Sequence, residues 1–77
     1  RQQIGDSYGL AECFHNIGAI QFEQKNWEAA VPYIAQAYAI FHNIGSPNAK
    51  VSADYLNALI EKLGEARVQE ILQQQNQ

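Results

Sequence analysis

At 77 residues, with a formal net charge of -3 and only five Lys and Arg spread singly, the chain holds one domain at most and carries no basic patch for phosphates or an anionic membrane surface. Its hydrophobic fraction of 47% against 17% charged is too apolar for a disordered segment, yet Gln, Glu and Asn interrupt it too often for a membrane span. Nucleic acid and membrane are therefore not expected as partners, and a chain this short buries only about 60–65% of the surface its unfolded form exposes, so help from a neighbour is expected.

Asp6 or Ser7 is a fair N-cap, and an apolar stripe through Leu10, Phe14, Ile17 and Phe22 predicts a first helix from about Ser7 to Lys25. Lys25-Asn26 breaks that pattern, with Asn26 able both to tolerate left-handed geometry and to cap a second helix that starts with Trp27 and Glu28. This second helix is expected to reach Ile44, where Gly45 supplies a left-handed stop. Pro32 lies inside it and removes one backbone hydrogen bond, early enough to bend the helix rather than break it. Ser46-Pro47 reads as the N-cap and first-turn proline of a third helix through Val51, Tyr55, Leu56, Leu59 and Leu63, ended by Gly64. A fourth helix spans roughly Glu65 to Gln74, with Val68, Ile71 and Leu72 on its apolar side, before a fraying Gln-rich tail. No strand-like alternation of useful length occurs, so the expected class is all-α: four helices in antiparallel hairpins joined by short turns.

Small residues mark where the first two helices cross. Gly18, Ala30 and Ala37 sit at the crossing points, flanked by Phe14, Ile17, Trp27 and Ile34 at spacings of three and four, and these seven residues form the expected hairpin core. Leu10, Ile20 and Ile40 are left over as an apolar face with nothing in the chain to cover it. A faint internal repeat is also present: Ile4-Gly5-Asp6 and Ile44-Gly45-Ser46 lie 40 residues apart, and Phe14-His15-Asn16 matches Tyr55-Leu56-Asn57 at an offset of 41. The chain then divides into the tail of one repeat (1–6), a full repeat (7–45) and a degenerate repeat or cap (46–77). The absence of methionine and the abrupt start at Arg1-Gln2-Gln3 read as a piece of something longer.

Chemistry-bearing patterns are sparse. Cys13, His15 and His42 have no partner at zinc-ligand spacing, and residues two apart on a helix, such as Cys13 and His15, point away from each other. The serines lie in no nucleophile elbow and the glycines in no phosphate-cradling loop. Neither catalytic residues, nor a metal, nor a cofactor is expected. A single cysteine makes no internal disulfide, and a reducing, cytoplasmic setting is the default.

The residues Ala11-Glu12, Phe14, Asn16-Ile17-Gly18, Phe22, Gln24, Asn26-Trp27, Ala30, Tyr33, Ala37 and Ile40 resemble a tetratricopeptide repeat, the helix-turn-helix unit that stacks into a superhelical α-solenoid. The long first helix and the Ile-Gly-Asp junction are similar to the subtype with repeats of roughly forty residues. The second unit departs from the pattern, with Leu59 in place of the small crossing residue, as a terminal cap does. The resemblance implies a non-catalytic scaffold that takes a peptide or helix of a partner protein on its concave face, here Glu12, His15, Ala19, Phe22 and Glu23. Two Glu and a His on that face imply a neutral or basic ligand rather than the carboxylate end that a Lys, Arg and Asn clamp receives. For Phe22 the alternative is plain core packing. Self-association through the uncovered Leu10, Ile20 and Ile40 face is the rival expectation, making a homo-oligomer.

Overall fold

The computed structural model describes residues 4–75, and these form four helices: α1 (Ile4–Glu23), α2 (Trp27–Asn43), α3 (Asn48–Leu63) and α4 (Glu65–Gln75). No strand occurs among the described residues. α2 is the central element and packs against the other three, and α3 packs more extensively on α2 than on α4. The molecule is 17 Å across its thinnest dimension, the depth of two helices packed face to face at about 8–10 Å.

The turns follow from backbone chemistry at the helix ends. Behind α1 the amide of Asn26 donates to the Gln21 carbonyl at 2.8 Å and that of Lys25 to Phe22 at 3.0 Å, a Schellman closure with Lys25 in the left-handed position at φ 66°. α2 ends the same way: Ser46 donates to Phe41 at 2.8 Å and Gly45, at φ 71°, to His42 at 3.1 Å. Ser46 then turns from closing one helix to opening the next, its hydroxyl accepting the Asn48 amide at 3.1 Å. Gly64, at φ 88° and ψ 147°, occupies backbone space open almost only to glycine and separates α3 from α4 without a linker.

Two apolar clusters hold the helices. One joins Ala30, Val31 and Ile34 of α2 to Leu59 of α3 and Val68 and Ile71 of α4, with Trp27 packed at its edge. The other joins Ala11 of α1 to Ala37 and Phe41 of α2, with Phe14 and Ile40 alongside. Between them α1 and α2 touch almost backbone to backbone. A Cβ placed on the buried Gly18 would fall 2.5 Å from Ile34 Cδ1 and 3.3 Å from the Ile34 backbone nitrogen, so only glycine fits there.

Several expectations need correction. α1 starts at Ile4, so Gly5 and Asp6 lie inside the helix and Asp6 places its charge in the first turn instead of capping it. Lys25, not Asn26, adopts the left-handed geometry, and Asn26 makes no side-chain cap: its amide nitrogen donates to Gln21 Oε1 at 3.1 Å. Ile17 is not hairpin core. It is 40% exposed, because the rotation that seats Gly18 against Ile34 carries its neighbour off the contact. Ile40, expected on the uncovered face, is instead half-buried against the Ala11–Ala37–Phe41 cluster. The expectation that Pro32 does not break α2 holds, since the helix runs from Trp27 to Asn43 with Pro32 inside it. Residues 1–3 of the expected preceding-repeat tail, and 76–77 of the C-terminal tail, lie outside the described residues.

Candidate functional site

The α1 residues singled out as a binding stripe face a common seam with α3. His15 is the bridge: its Nδ1 lies 2.9 Å from the hydroxyl of Ser52, a fully buried polar side chain, and its ring meets Tyr55 edge-on at 5.0 Å. Phe22 packs edge-on against the same Tyr55 at 5.5 Å. Further up, Tyr8 accepts a hydrogen bond from the Asn48 amide nitrogen at 2.9 Å.

On either side of the His15 bridge the seam opens into a depression. One, of about 170 Å³, has Glu12 and His15 on one wall, Asn48 and Val51 on the other, and the buried Phe41 of α2 as its floor. The second, of about 310 Å³, lies between Phe22 and Glu23 of α1 and Asp54, Tyr55 and Ala58 of α3. Glu12 and Glu23 are exposed, His15, Ala19 and Phe22 half-buried. The five expected positions thus share one face of α1, and four of them line the two depressions.

Sequence reasoning missed the opposite wall. Asn48, Val51, Tyr55 and Ala58 recur at spacings of three, four and three, a helical stripe that was present in the sequence but unreadable without knowing that α3 lies beside α1. It also missed Ser52, which looks like an ordinary polar helix residue until the fold buries it.

The electrostatics of the seam are one-sided. Glu12, Glu23 and Asp54 border it, and none of the three forms an ion pair among the described residues; the two ion pairs found there both involve Arg67, with Glu28 and Glu70. Burial pushes the His15 imidazole below its ordinary 6.5, which favours the neutral ring at pH 7 and leaves the carboxylates as the charge of the seam. Among the described residues no three His, Cys, Asp or Glu side chains gather where a metal ion could be held. No described helix is long and apolar enough to cross a membrane.

A second surface feature lies on the other side of α1. Leu10, Ile17 and Ile20 are 42%, 40% and 55% exposed, and with the exposed Cys13 they follow the spacing three, four, three. Comparison with protein-family models, with curated proteins and with solved structures gives no match.

Proposed function

We propose that the chain is a protein-interaction module of the tetratricopeptide kind, its two hairpins forming part of a stacked α-solenoid, and that a peptide or helix of a partner protein docks along the α1–α3 seam without chemistry by this chain. The observation that carries the reading is the seam itself: two depressions in line, half-buried aromatics below, unpaired carboxylates at the edges. The Gly18–Ile34 approach supports the repeat assignment, since that family's hairpins cross on small residues. A cytoplasmic site of action accords with the lone, exposed Cys13.

Selection from a displayed library of random short peptides tests this, followed by amide chemical-shift mapping of an enriched sequence on the labelled protein. The expected shifts cluster at Glu12, His15, Phe22, Asn48 and Tyr55. No enrichment, or shifts confined to another face, overturns the reading.

The exposed stripe of Leu10, Cys13, Ile17 and Ile20 favours a second reading, self-association, because two copies of such a stripe bury each other at a helix-pairing period. Light scattering over a wide concentration range decides it: mass rising with concentration supports it, and a constant monomer mass removes it.

A further inference from the structure

The lower depression contains more than a general acidic character. Phe22, Tyr55 and Ala58 give it an apolar lining, and Glu23 and Asp54, one from each helix and both exposed, also line it, neither forming an ion pair among the described residues. The molecule itself shows how this combination is satisfied elsewhere. The depression at the start of α2 has Trp27, Leu63, Glu28 and the cationic Lys25 in its lining, and the Lys62 ammonium stands 5.2 Å from the centre of the Trp27 ring. Around Arg67, too, a single guanidinium reaches two carboxylates, at 2.9 Å to Glu28 and 2.8 Å to Glu70.

We infer that the Phe22–Glu23–Asp54–Tyr55 depression is a subsite for an arginine side chain of the docked partner. The inference rests on the reading of the seam as the docking groove and adds the chemistry that the groove selects. An arginine has the two parts the site asks for: a methylene stem that lies along Phe22, Ala58 and Tyr55, and a planar fork of five N–H donors that engages carboxylates from two different helices at once. A lysine offers the stem but only a point charge, and a neutral side chain leaves both carboxylates unpaired.

The probe is acetyl-arginine amide, titrated into the labelled full chain while amide shifts are followed, with acetyl-citrulline amide, its uncharged isostere, as the control. The expected result is saturable shifts at Phe22, Glu23, Asp54, Tyr55 and Ala58 with arginine, none with citrulline, and a loss of roughly tenfold in affinity in the Glu23→Gln/Asp54→Asn protein. Both substituted positions are exposed, so an unchanged far-UV spectrum separates lost binding from lost folding. Equal response to citrulline, or unchanged affinity in the double variant, overturns the subsite. Enriched peptides that bind the seam without arginine, while the arginine probe leaves these amides unmoved, overturn the subsite and leave the docking groove standing; arginine shifts without any enriched peptide do the reverse.

Discussion

At the scale of single residues, Gly18 and His15 fix how α1 sits against its two neighbours, Gly18 against α2 and His15 against α3. Gly18 lets α1 approach α2 closely enough for the next turn to meet α3. Replacing it by Ala gains about 1 kcal/mol of helix propensity, but the new methyl meets the fully buried Ile34, and overpacking of that kind costs about 1–3 kcal/mol. Gly18→Ala is therefore expected to lower the urea midpoint. In combination with Ile34→Ala its cost is expected to shrink, because Ile34 Cγ1 and Cδ1 are gone and only the tight approach to the backbone nitrogen, at 3.3 Å, remains. His15 makes the other connection. Its pKa in the folded protein is lowered, so the unfolded chain binds the proton more readily, and folding stability falls as pH drops below the ordinary 6.5 toward the folded value. Denaturation at pH 7.5 and pH 5.5 is expected to show that loss in the parent protein and a smaller one in His15→Asn, whose side-chain amide can still pair with the Ser52 hydroxyl, 2.9 Å from Nδ1 in the parent, but has no group that titrates.

At the scale of elements, three helix stops show which features were legible in the sequence. Gly45 and Gly64 announce themselves, since a glycine between two apolar-periodic runs has few other uses, and both take positive φ. The first stop did not, because the chain places Lys25 where its counterpart is glycine, and Asn26 beside it was the more plausible left-handed residue. Lys25→Gly is consequently expected to stabilise the fold by about 0.5–1 kcal/mol, read from the urea midpoint, with no change in its slope. The four helices followed from period and punctuation alone. The rotation of α1 about its own axis did not: Ile17 and Gly18 are neighbours, and only the depth of the Gly18–Ile34 contact decides which of them turns inward. The same gap hid half the candidate site, because a stripe on α3 acquires meaning only from the helix that packs beside it.

At the scale of the whole molecule, apolar burial is unevenly distributed, and the uneven part is the part that faces outward. α2 contributes five buried side chains, from Ala30 to Phe41, to both clusters, whereas Ala11 and the side-chain-less Gly18 are the buried positions of α1 among the described residues. The outer stripe of Leu10, Ile17 and Ile20 leaves about half of each side chain in water, and that half adds nothing to the fold. α1 thus buries fewer and smaller side chains than α2, and its local opening requires less free energy than that of α2. Native-state hydrogen exchange is expected to place its amides about 2 kcal/mol or more below those of α2, roughly the worth of one large buried side chain. Protein concentration then separates the two readings of the stripe. If copies pair through it, protection of α1 rises with concentration while α2 is unchanged, and Leu10→Gln/Ile20→Gln abolishes the rise without unfolding the chain, since both residues are already exposed. If α1 protection stays flat, the stripe does not pair copies of the chain, and self-association is removed as a reading of it.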